Sequence, residues 1–160
     1  MRLIPKGASQ AVRIADQLRR AFEGDAWHGP GLLELLEDVD ASTAAAKPVP
    51  SAHSIWELVL HVAVWDGAAL TRLGGTKCQP AGLANFPAVR DAGEPAWRKT
   101  LAETTRVHER LVKTVAALPD SRVADRVPGK RYDFYHMLQG IAQHELYHAG
   151  QIALLKKAIQ

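Results

Sequence analysis

Cysteine is almost missing from this chain. Cys78 is the only one in 160 residues, which excludes an internal disulfide framework. Long apolar runs are missing too. No stretch of about 18 uninterrupted apolar residues occurs, so neither a membrane-spanning helix nor a membrane partner is expected. The opening residues, MRLIPKGASQ, lack the apolar segment of a secretory signal. A reducing, cytoplasmic home is the expectation from these absences. Charge of one sign is also lacking: 20 Lys+Arg stand against 17 Asp+Glu, a net +3. The basic residues come as scattered pairs such as Arg19-Arg20 and Lys156-Lys157. None is long enough to track a phosphate backbone, and no aromatic-basic interleaving occurs, so no nucleic-acid partner is expected. No period-two alternation marks a strand, and no repeat or low-complexity tract is present.

What the sequence does have is helical period. Hydrophobic residues make up 47% of it, enough for one domain, 1–160, with a sizeable core. Ala11, Ala15, Leu18 and Phe22 form one stripe of a helix expected over residues 8–23. GDAWHGPG breaks it, and LLELLEDVD and ASTAAA read as short helical pieces. KPVPSAH is a linker because its prolines disfavour helix. Ser54 and Glu57 form a capping box that opens a second long helix, expected to end near Leu73 before a Gly-Gly pair. A Gly/Pro-rich connection of about twenty residues follows, a length associated with functional or mobile loops. A third helix is expected over 94–118, with Pro95 in its first turn. Its seam is Trp97, Leu101, Thr104, His108, Leu111, Val115 and Leu118. PDSRVADRVPGKRY reads as a second loop, turning at Pro128-Gly129. Asp133 caps a fourth helix running nearly to the end. The fold class is therefore all-α, a four-helix bundle with long interhelical connections.

Histidines interrupt two of these seams. The last helix carries Met137, Ile141, His144, His148, Ile152 and Leu155 on one stripe. His144 and His148 are four residues apart, about 40° of rotation and 6 Å of rise, so both imidazoles can reach one metal ion. In the second helix, Leu58, His61 and Trp65 place His61 inward as well. A single buried imidazole is ordinarily satisfied by a hydrogen bond. Three facing inward are costly without a shared partner, and a cation satisfies all of them at once. His61, His144 and His148 are the candidate ligands of a divalent ion.

HELYH also spells H-E-x-x-H, the signature of zinc proteases. Those need a third ligand, usually downstream, and no His, Asp or Glu follows His148. The longer extension fails too, since Gly150 is one position early and residue 154 is leucine. Glu145 would be the general base, but it is rotated about 100° from His144. The third ligand is expected from upstream.

HSIWELVLHVAVWD and QHELYHAGQIALLKK, in that order on the second and last long helices, make the chain resemble the DinB/YfiT-like superfamily of four-helix-bundle metal proteins. The resemblance implies a zinc or nickel ion on His61, His144 and His148. Three protein ligands leave room for water or substrate. It also implies a homodimer and a small-molecule substrate. Some members of that superfamily are transferases using a low-molecular-weight thiol cosubstrate, and others are described as hydrolases. The alternative is a noncatalytic metal-binding module for stress response or ligand binding.

Other residues stay open at this stage. His53 either lines the mouth of the site or is exposed. His108, on the third seam, is a core histidine, a fourth ligand or a support for one. Asp66 and Glu57 are either surface carboxylates or acceptors for a ligand imidazole N–H, and Glu145 either serves the site or faces a helix interface. His28 and His136 have no spacing that places them. Cys78, a lone cysteine in a Gly/Pro-rich loop, reads as a bystander, and the thiol transferases that the resemblance implies need no protein cysteine.

Overall fold

The computed structural model describes residues 3–159, so residues 1, 2 and 160 of the expected domain lie outside it. It is an all-α, four-helix bundle. The long helices are α1 (Gln10–Glu23), α4 (Ile55–Leu73), α5 (Glu94–Ala116) and α7 (Phe134–Ile159). Shorter ones, α2 (Leu32–Leu36), α3 (Ala41–Ala45) and α6 (Asp120–Val123), sit in the connections. The sequence reading treated residues 119–132 as loop throughout; α6 corrects that. Its first residue explains it: Asp120 accepts from the backbone N–H groups of Gln10 and Ala11, both at 3.0 Å. The carboxylate caps α1 from across the fold, a tertiary contact that local pattern cannot show.

The expected starts and stops hold where local chemistry sets them. Ser54 and Glu57 form the capping box of α4. Asp133 accepts from the His136 N–H at 2.8 Å, and Pro95 lies in the first turn of α5. At the GDAWHGPG break two backbones touch. A Cβ on Gly31 would lie 2.5 Å from the Gly24 nitrogen, and Gly24 itself has φ +125°. Both positions require glycine.

In the bundle α4 packs on α5 and α7, and α1 packs on α5 and α7. One apolar cluster joins Ile14 and Leu18 to Ala69, Leu73, Leu111, Val115 and Leu138. The other joins Phe22 to Ile55, Leu58, Val62, Trp97 and Ile152. The clusters draw on opposite ends of each long helix, so α4 and α5 run parallel. Parallel neighbours cannot be joined by a tight turn. The connection 74–93 must travel back along about 28 Å of α4, at 1.5 Å per residue of a 19-residue helix. That is the physical reason for its length, and it carries the loop past His61.

Between the clusters lies a polar layer to which α4, α5 and α7 contribute. His108 of α5 stacks on Phe22 of α1, ring centroids 4.0 Å apart. Its Nδ1–H donates to Asp66 Oδ2 of α4 at 3.0 Å and lies 3.1 Å from Glu145 Oε1 of α7. All three side chains are at most 1% exposed. Burial alone would push the His108 imidazole down. The hydrogen bonds and negative charges of Asp66 and Glu145 outweigh that and raise it to about 10. Burial raises the Glu145 carboxyl, and the hydrogen bond and charge of His108 oppose that rise. A charged imidazole flanked by two carboxyl groups pairs the charges of this layer, but Asp66 Oδ1, His108 Nε2 and both Glu145 oxygens are buried without a hydrogen-bond partner.

Candidate metal centre

α4 and α7 face each other on one flank of the polar layer, and there the three histidines meet. His61 Nε2 lies 2.9 Å from His144 Nε2, and His148 Nε2 lies 3.0 Å from the same atom. Hydrogen bonds on the far side of two rings fix their tautomers. His61 Nδ1–H donates to the Asn85 carbonyl at 2.7 Å, and His148 Nδ1–H donates to Gln151 Oε1 at 2.6 Å. Both rings therefore turn an Nε2 lone pair toward His144. Phe86 stacks flat on His61, centroids 3.9 Å apart, and His53 stacks on the other side of Phe86 at 3.8 Å.

These residues fit a cation. A proton on His144 Nε2 can serve one neighbouring lone pair at a time, which leaves the other facing it uncompensated. One divalent ion with imidazole nitrogens at about 2.0–2.1 Å serves all three. Burial lowers all three imidazoles. For His61 the Asn85 bond partly offsets it, as the Gln151 bond does for His148. For His144, burial and then the neighbouring imidazoles lower it to about 3. The ligand form, neutral imidazole, is thus the one the fold favours at neutral pH. His144 Nδ1 is buried without a hydrogen-bond partner, so packing against Trp65, centroids 5.8 Å apart, holds that ring instead.

The histidines form one wall of a cavity of about 530 Å³, within the usual range for small-molecule sites. Trp65, Met137, Ile141 and Tyr147 supply apolar and aromatic surface, and Tyr132, His136 and Arg72 supply polar groups. Among the described residues no carboxylate lines it.

Asp66, His108 and Glu145, considered above for the cavity or for support of the metal ligands, form a separate buried group. Their ligating atoms also lie close enough together to hold an ion, but they are sealed in the polar layer and line no part of this cavity. Asp66 is 1% exposed, not a surface carboxylate. Glu145 is fully buried on the side of α7 turned to His108, which removes the general base of a zinc protease. His53 is exposed; it stacks on Phe86 and lines a second cavity, of about 470 Å³, together with His148 and Gln151. Glu57 serves the α4 cap and pairs with Lys47. His136 lines the cavity and His28 does not. Cys78 offers its backbone carbonyl to Arg72. Asn85, Phe86 and Arg72 were not anticipated. Gln151, three residues after His148, was legible from helical spacing, whereas nothing local marks Asn85 or Phe86.

A helical bundle whose facing helices turn three histidines into a cavity defines a class: bundles with a candidate open metal site between their helices. The sequence profile of the DinB superfamily matches residues 26–152, and the chain belongs to that superfamily. No curated protein and no solved structure matches it. No described helix is long and apolar enough to cross a membrane.

Proposed function

We propose that the chain holds one divalent ion, zinc or nickel, on His61, His144 and His148, and is a metal-dependent enzyme acting on a small molecule. The reaction class is transfer of a low-molecular-weight thiol, or hydrolysis. The observation that carries this is the convergence of three imidazole nitrogens, those of buried His61 and His148 and partly buried His144, on the wall of one cavity. When bound, such an ion lowers the pKa of a coordinated water or thiol and so supplies a nucleophile at neutral pH. The chain's own residues do the rest. Asn85 and Gln151 orient two rings, and Phe86 fixes the plane of His61. Trp65, Met137 and Ile141 keep water from the reacting region, and His136, Tyr132 and Tyr147 line it with groups that can donate or accept a hydrogen bond. A homodimer in the cytoplasm, with no nucleic-acid or membrane partner, belongs to the same proposal.

The test is elemental analysis of protein purified without a histidine tag, followed by a turnover screen with cellular thiols and electrophiles. One ion per chain and turnover abolished by His144→Ala are expected. No bound ion at neutral pH, or equal rates in wild type and variant, refutes the reading. The lack of a carboxylate base in the cavity favours a second reading, a noncatalytic metal-binding module. There, removing the ion alters stability or ligand binding and no reaction is found.

A further inference from the structure

Arg72 is the unexplained charge of this molecule. It sits in the last turn of α4, one residue before its end, and lines the same cavity as the histidines. Only 2% of it is exposed, yet no carboxylate pairs with it among the described residues. Its Nε and Nη2 donate to the Cys78 carbonyl at 2.9 and 2.7 Å, and Nη2 reaches Gln79 Oε1 at 3.4 Å. These are neutral acceptors, and none of these bonds uses Nη1. A buried guanidinium without a counter-anion is costly, and holding a loop carbonyl does not call for a full charge. A second cation adds to the imbalance, since Lys130 donates to the same Gln79 Oε1. Two positive side chains thus share one exposed amide oxygen, and of the two only Arg72 lines the cavity, which has no acidic side chain among its described lining residues.

We propose that Arg72 is the anchor for an anionic group of the substrate, a carboxylate on a small organic acid with an apolar body. The planar guanidinium fork matches a carboxylate in two-point contact. The body lies along Trp65: the Arg72 guanidinium carbon is 5.5 Å from that ring, and the ring is 5.8 Å from His144. Those two contacts in series set the span from anion to histidines at the length of a small metabolite. Met137 and Ile141 cover the apolar part. This rests on the reading of the cavity as a substrate site, and it adds a charge requirement which that reading does not contain.

Calorimetric titration with 4-phenylbutyrate, its neutral amide 4-phenylbutyramide, and phenyl phosphate tests it. Each is measured on the metal-loaded protein and again after chelation, because a carboxylate can also bind a metal directly. In metal-free wild type the carboxylate should bind about tenfold tighter than the amide, the worth of one charge-assisted contact. Arg72→Gln should abolish that preference and Arg72→Lys should keep part of it, with both variants retaining the metal content of wild type. Equal binding of carboxylate and amide by metal-free wild type overturns the proposal without any variant. A preference that survives Arg72→Gln overturns it too, and tighter binding of phenyl phosphate than of the carboxylate overturns the choice of carboxylate. Loss of metal binding in wild type would sink the metal reading alone, because the chelated arm decides the anion site by itself.

Discussion

Replacing Asp66 by asparagine separates two roles that this residue could play. The side chains are nearly isosteric, so packing is kept and the charge beside His108 is lost. His108 and Asp66 are 0% and 1% exposed, so solvent cannot compensate. Removing one partner of a buried pair costs about 3–5 kcal/mol. The imidazole gives the same order: raised from an ordinary 6.5 to about 10, at about 1.4 kcal/mol per unit, it represents several kcal/mol shared between two carboxyl groups. We therefore expect Asp66→Asn to lose about 3 kcal/mol at pH 7 in urea unfolding. The pH dependence has a defined sign. Unfolded, His108 releases its proton near 6.5; folded, it holds the proton to about 10. Its stabilisation is full below about 6.5 and disappears as pH rises through about 10. The variant should show a flatter decline across that window. Metal content, measured on folded protein, should be unchanged, because among the described residues Asp66 bonds His108 and makes no hydrogen bond to His61, His144 or His148. A cost below about 1 kcal/mol, or loss of metal at unchanged stability, would refute the reasoning and return Asp66 to the metal site.

Further outcomes follow from the same geometry. His144→Ala should lose the ion, and at free metal 100 times Kd the wild type should gain about 2.7 kcal/mol that the variant does not, read as a metal-dependent Tm. Stability of the metal-free protein should fall as pH drops below about 6.5, because unfolded histidines take up protons there. The folded imidazoles are held lower, His144 to about 3; urea titrations at pH 7 and pH 5 check the sign. Asn85→Ala should cost about 1 kcal/mol through loss of its 2.9 Å bond from the Trp65 Nε1–H. It should change tryptophan fluorescence and spare metal content, because His61 is held by the backbone carbonyl. Trp97→Phe should cost about 1–3 kcal/mol by orphaning the Val39 carbonyl, bonded at 2.7 Å.

The histidine trio was legible because helical period alone sets which side chains share a face. His144 and His148 are one turn apart, and His61 continues the apolar stripe of α4. The same period placed Glu145 off that face. It did not say what lay there, because the partner, His108, is on a helix about 37 positions away in sequence. The pairing of Asp66 with His108 was missed for the same reason: a carboxylate beside Trp65 has no local mark of burial.

The sequence by itself determined the helical class, the caps at Ser54 and Asp133, and the face carrying His61, His144 and His148, since each depends on residues within a turn or two of one another. Tertiary structure alone decided the rest. It laid residues 74–93 along α4 so that Asn85 and Phe86 reach His61, placed α6 where Asp120 could cap α1, and buried Arg72 without a counter-charge on the wall that the histidines share. Those are meetings between distant segments, and they follow from how the helices pack, not from any spacing along the chain.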